Sequence, residues 1–280
     1  MQPTPATEGL KNLLTQPEVK LDLAAAALQI ASEEYPDLDL SNYLMRLDRL
    51  AERAAGQLSL SVEPDVIDSL DGINRTLYRE EGFSGNSDVY YDPRNSFLNE
   101  VLDRRTGIPI TLSIIYMEVG RRLGLDIRGV GLPGHFLVKC VAAGGEWLID
   151  PFFGGKTVTE AECRQRLKRL HGEKFSFHRS FLDCVSKRQI LGRLLANLKM
   201  IYLVQRDFER ALNVIAKIIL IFPEAAGEIR DRGSVSFRLQ HFSAAIRDWN
   251  RYLAMKPQAS DAQEVKQNLK VAATQIGLRN

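Results

Sequence analysis

The 280-residue sequence predicts an α+β domain flanked by helical segments. Three observations carry this. Helical runs at "VIDSLDGINRTLYRE", "NSFLNEVLDRR" and 109–123 precede short alternating stretches at 126–131, 135–142 and 146–150, the order of helices and then a small antiparallel sheet. Residues 17–62 read as two Ala- and Leu-rich helices separated by the turn-like "YPDLDLSN", with nothing in them that suggests chemistry. From about residue 186 the chain is helical and repeats itself. At a period of 34, Phe208 aligns with Phe242, Ala211 with Ala245, Leu212 with Ile246, Ile219 with Leu253 and Pro223 with Pro257. The expected segments are therefore 1–62, 63–185 and 186–280.

Composition narrows the class. No run approaches the roughly 18–20 apolar residues that span a bilayer, and "MQPTPATEGLKN" lacks the basic flank and apolar centre of a secretory signal, so a cytoplasmic protein is expected. Cys140, Cys163 and Cys184 are odd in number and widely spaced without a CxxC pair, which argues against disulfides and a zinc site; no metal or cofactor is expected. Residues 185–280 carry 16 basic against 8 acidic side chains. They are scattered at helical spacing without interleaved aromatics, which favours a solvated face over nucleic-acid binding.

The helix beginning near Pro109 places Leu112, Ile115, Tyr116, Val119 and Leu123 on one stripe, and Gly124 supplies a stop. Its N-terminus at Gly107-Ile108-Pro109 would present free N–H groups and a partial positive charge, a setting that suits a thiolate nucleophile. His135 and Asp150, on the following strands, would complete a Cys-His-Asp triad.

Here the chain resembles the transglutaminase-like superfamily, a cysteine-proteinase-like fold. "GIPITLSIIYMEVGRRLGLDIRGVG", "GHFLVK" and "WLIDP" follow the order of that core, with His135 on the family's His and Asp150 on its Asp. The cysteine position falls on Pro109, which has no proton to give and suits a helix's first turn on structural grounds alone. Substitute nucleophiles are poor. Ser113 and Thr111 lie within the helix, where the amides are committed, and Cys140 falls on the opposite strand face from His135.

Whether His135 meets Asp150 depends on the hairpin. A turn at Ala142-Ala143 sets them face to face, and one at Gly144-Gly145 offsets them by four residues. His135 is open to three readings: a ligand-binding relic of the triad, a structural histidine, or a working base. Asp150, before Pro151, also reads as a turn-starting aspartate. Tyr90 and Tyr91, in the turn-rich loop 82–95, and Trp147 are candidate walls of the cleft.

The 34-residue period is that of the tetratricopeptide repeat, which builds one helical hairpin per unit. Gly233 and Ala245 occupy its small-residue positions in the second copy, Lys199 replaces the small residue in the first and so predicts a looser unit, and 259–277 reads as a capping helix. In "EIRDRG", Arg230, Asp231 and Arg232 suit either local ion pairs or an interdomain role in which an arginine reaches the middle domain.

Over about 65–280 the chain resembles the SirB-type proteins, which join a transglutaminase-like domain to tetratricopeptide repeats; "YYDPRNSFLNEVLDRRTGIPITLS", "GVGLPGHFLVK", "LIDPFFGG" and "EIRDRG" carry the likeness. The resemblance implies loss of the nucleophile, in agreement with Pro109. Pro109 at the cysteine position and the 34-residue period together point to a non-catalytic adaptor or regulator that binds a protein or peptide through its repeats. The alternative is a hydrolase or acyltransferase using His135 and Asp150 with a non-cysteine nucleophile.

Overall fold

The computed structural model describes residues 4–57, 65–142 and 144–278. The chain divides into two compact units, residues 1–191 and 192–280.

Three helices open the first unit: α1 Pro5–Leu14, α2 Leu23–Ala31 and α3 Leu40–Ala55. The sequence reading missed α1, although Thr4 caps it and Pro5 sits in its first turn, where a missing N–H costs nothing. The N-terminal helices do not stand apart from the middle segment. Helix α4 Val66–Asn74 leads into a π-helical turn, Arg75–Glu80. Strand β1 Ser84–Gly85, helix α5 Leu98–Arg104 and strand β2 Thr106–Gly107 follow, with β1 and β2 forming a two-residue parallel pair. Helix α6 Pro109–Arg122 comes next, and α2, α3, α4 and α5 all pack on it. Every residue from Pro109 to Gly120 is buried, so α6 is a central helix rather than an amphipathic one.

Four strands in the order β3 Asp126–Val130, β4 Leu137–Ala142, β5 Gly145–Asp150 and β6 Lys156–Val158 form an antiparallel sheet. Helix α7 Glu160–His171 follows. Cys140 pairs with Ile127 and Trp147 across the strands, and Ile127 abuts Gly120, which places this face of the sheet on α6. The other face carries Val130, Leu137 and Leu148, packed with Cys163 and Leu167 of α7. Burial on both faces explains why "FLVKCV" alternates so weakly. At the end of the unit, Arg188 donates to Glu18 Oε2 at 2.7 Å and to the Leu14 and Gln16 carbonyls, both at 2.8 Å, which ties in the segment after α1.

The boundary between units falls within α8 Lys187–Gln205. Then come α9 Phe208–Ile221, α10 Ala226–Arg238, α11 Phe242–Met255 and α12 Ala262–Gly277. Helices α10 and α11 form a hairpin, and α12 packs on α11 as the expected final helix. A Cβ on Gly233 would sit 2.7 Å from Trp249 Cδ1, so the small residue lets α10 approach the indole. Gly233→Ala is predicted to cost about 1–3 kcal/mol by overpacking, read as a lower urea midpoint for the repeat unit.

The first hairpin finds its close approach elsewhere. Gly192 lies against the Phe222 ring so tightly that a Cβ would overlap it. Lys199, at the position where a small residue was expected, is buried and donates to Glu228 Oε2 at 2.8 Å and Asp231 Oδ2 at 2.6 Å. It is an ion-pairing link between α8 and α10 rather than a sign of a looser unit. Among the described residues, no helix is long and apolar enough to cross a membrane.

Candidate functional site

His135 ends the turn after β3, where its N–H bonds the Leu132 carbonyl at 3.0 Å and Gly134 takes φ +71°. Asp150 is the last residue of β5 and caps the 3-10 turn Pro151–Phe153, accepting from Phe152 N–H at 3.2 Å. The hairpin turns at neither expected place. Ala142 pairs with Gly145, so Asp150 falls two positions from the point opposite His135. Side chains bridge this offset: His135 Nε2 lies 3.0 Å from Asp150 Oδ1 and 2.9 Å from Oδ2. The contact is dry, with His135 7% exposed and Asp150 0%. Donation from Nε2–H to the carboxylate fixes the ring's orientation and leaves Nδ1 as the lone-pair nitrogen of the neutral tautomer.

Sequence reasoning missed a third partner. Arg166 of α7 donates to Asp150 Oδ2 at 3.0 Å, and its guanidinium lies 5.0 Å from the centroid of the Phe153 ring. Phe152 and Phe153 flank the His135 ring, each with its centroid 6.0 Å away. The clue in the sequence was the aromatic pair in "DPFFGG" followed by a basic helix. Nothing local, however, says which of the arginines at 164, 166 and 169 turns inward. The buried carboxylate thus has a histidine, an arginine and a backbone amide, the full pairing that a buried charge requires.

Pro109 occupies the first position of α6 and is buried. Helix α6 packs on β4, which follows His135, and on the Pro151–Phe153 turn, which follows Asp150. The alternative hydroxyls do not substitute for a cysteine. Thr111 Oγ1 accepts from Ile108 N–H at 3.1 Å and lies 2.8 Å from the Asn95 carbonyl, so it serves as part of the helix cap. Ser113 Oγ is buried with no hydrogen-bond partner, and so makes none with His135. The thiols are no better placed. Cys140 lies on the α6 face and Cys163 among apolar side chains on the α7 face, and burial raises both above the ordinary thiol range; partial burial does the same to Cys184. A reactive cysteine needs the opposite shift.

Other expected site residues fall elsewhere. Tyr90 and Tyr91 do not point opposite ways: they meet edge to face with centroids 5.3 Å apart, Tyr90 half-buried and Tyr91 exposed. Trp147 projects from the face of β5 opposite Asp150 and so does not wall the dyad. Of the two roles suggested for "EIRDRG", local pairing is present between Arg230 and the adjacent Asp231, and both arginines also pair with more distant carboxylates of the repeat unit. Arg230 donates to Asp231 at 2.7 Å and Asp261 at 2.6 Å, and Arg232 grips Asp248 with bonds of 2.7 and 2.6 Å. The bonds to Asp248 and Asp261 link α10 to α11 and to the cap of α12. Beside them Tyr252 donates to Asp261 at 2.5 Å, and this bond together with Arg230 holds the Asp261 carboxyl below its ordinary range.

A dry His-Asp pair, a buried central helix that packs on the turn after Asp150, and 34-residue helical hairpins together define a transglutaminase-like domain joined to tetratricopeptide repeats. Family models agree: the transglutaminase-like superfamily matches residues 41–196 and the tetratricopeptide repeat matches 198–270. The chain belongs to the SirB-type family. It is 38% identical to a UPF0162 protein of Xylella fastidiosa over 92% of both chains, and 27% identical to Protein SirB1 of Salmonella typhimurium over 81% of this chain and 84% of that one. The F-box only protein 21 of Mus musculus is 36% identical over 51% of this chain, which corresponds to 23% of that protein.

Proposed function

We propose that the chain is a non-catalytic, cytoplasmic binding protein: an adaptor or regulator whose transglutaminase-like domain keeps the His135–Asp150 frame without a nucleophile and whose repeats grip a protein partner. Pro109 carries this reading, because the residue at the head of α6 has no group that His135 could activate. The repeats support the second half, since stacked helical hairpins offer extended surfaces to a peptide or helix.

The partner half is tested by capture from a native extract with the full chain and with a chain ending at Leu191, the latter checked for folding by circular dichroism. The reading expects a specific partner held by the first and lost by the second. No partner specific to the full chain would contradict it. The frame is tested by Pro109→Cys. A thiol at the N-terminus of α6 is predicted to titrate below the ordinary value of about 8.5, followed by alkylation rate against pH. An ordinary or raised value would mean that the old active-site geometry has drifted.

A further inference from the structure

Apart from the His135–Asp150 pair, the first unit holds a polar cleft of about 610 Å³, within the usual range for small-molecule sites. One wall is a single stripe along α4 and the π-helical turn, formed by Asp68, Asp71, Arg75 and Arg79. Lys156 and Thr157 of β6 stand on the other. Its closed end is built by a tight clasp. Asn74 Nδ2 donates to the Gly155 carbonyl at 3.1 Å, and Gly155, at φ +72°, lies so near Asn74 Oδ1 that a Cβ would overlap it. Only glycine allows that approach.

The charges in this cleft are sorted. Asp68 and Asp71 lie toward the start of the stripe and Arg79 at its far end, while Lys156 follows the Gly155 that meets Asn74 and Tyr78 between them. Asp68, Asp71, Arg79 and Lys156 have no ion-pair partner among the described residues, whereas Arg75 lies 3.4 Å from Glu80. Unpaired carboxylates at one end and an unpaired guanidinium at the other make a bipolar receptor. The Tyr78 hydroxyl is also buried without a hydrogen-bond partner in the side chains that line the cleft. The cationic end lies within the π-helical turn, itself a rare conformation that recurs at functional sites.

We propose that this cleft binds a short zwitterionic ligand, an extended peptide of three or four residues with both termini free. Asp68 and Asp71 take its ammonium group and Arg79 its carboxylate. The length follows from the wall. The eight steps from Asp71 to Arg79 rise at most about 12 Å, the α-helical value, because part of the span is the tighter-pitched π-helical turn, and an extended chain covers that in roughly three to four residues at about 3.3–3.6 Å each. The site is separate from the proposed adaptor role and does not depend on it.

The test is calorimetric titration of the full chain with tetra-alanine, its N-acetyl form and its C-terminal amide at low salt. The free peptide is expected to bind saturably, and each capped form to bind at least about fivefold more weakly, the scale of one screened charge contact. Arg79→Gln should abolish the penalty for the amide while keeping that for the acetyl group, and Asp68→Asn combined with Asp71→Asn should do the reverse. All three are exposed substitutions that leave the core intact. No saturable binding of the free peptide, or equal binding of free and capped forms, overturns the proposal. So does a capping penalty that neither variant changes.

Discussion

Asp150→Ala is expected to lower the stability of the first unit by about 3 kcal/mol, the low end of the range for removing one member of a buried charge pair. The carboxylate accepts from His135, Arg166 and Phe152 N–H, and its own surface is wholly buried. Its removal strands three donors at once. The cost stays near the low end because Arg166 keeps 27% of its side chain exposed and swings toward water, whereas His135 has no such exit. The measurement is urea unfolding followed by fluorescence, with Arg166→Met and the double variant closing a cycle. A coupling energy of at least about 1 kcal/mol is predicted for the Asp150–Arg166 pair. A loss below about 1 kcal/mol for Asp150→Ala would show that the carboxylate is not the organiser of this site.

Trp249→Ala should be the most damaging single change in the repeat unit, at about 3–5 kcal/mol. The indole is 1% exposed, lies over Gly233 and sits 5.6 Å from the Phe237 ring. Truncation opens a cavity between α10 and α11, and two hairpins with one final helix have few neighbours over which to spread the loss. Because the chain forms two compact units, unfolding need not be two-state, and the change should move the transition of residues 192–280 selectively. Trp249→Phe should recover much of the loss, since the indole N–H has no hydrogen-bond partner to forfeit. Equal damage from both substitutions would contradict the packing account.

How much of this was legible in the sequence follows from the range of the interactions. Helix α6 could be read because its apolar spacing and Pro109 are local signals, although the sequence suggested one buried stripe and the helix is buried all round. The 34-residue period exposed the hairpins through Ala211, Ala245, Pro223 and Pro257. The same period misled at Lys199, because ridge contacts can shift along a helix: Gly192 took over the close approach while Lys199 found carboxylates on α10.

Within the site, His135 and Asp150 stood out through order and spacing, but their contact rests on a hairpin register set by one residue at the turn. Arg166 was invisible for a different reason. Its partner lies 16 positions away on another element, and one of several arginines in a basic helix gives no local sign of facing inward. Trp147 failed through strand alternation alone: it lies three residues before Asp150 on the same strand and so faces the other way in any register.

The central claim is that a well-ordered His-Asp frame stands without a nucleophile. It is tested most directly by assaying the purified chain for acyl hydrolysis and transfer on amide, ester and thioester substrates, beside His135→Ala. The account predicts no turnover above the uncatalysed rate for either protein. Turnover by the native chain that disappears in His135→Ala would contradict it.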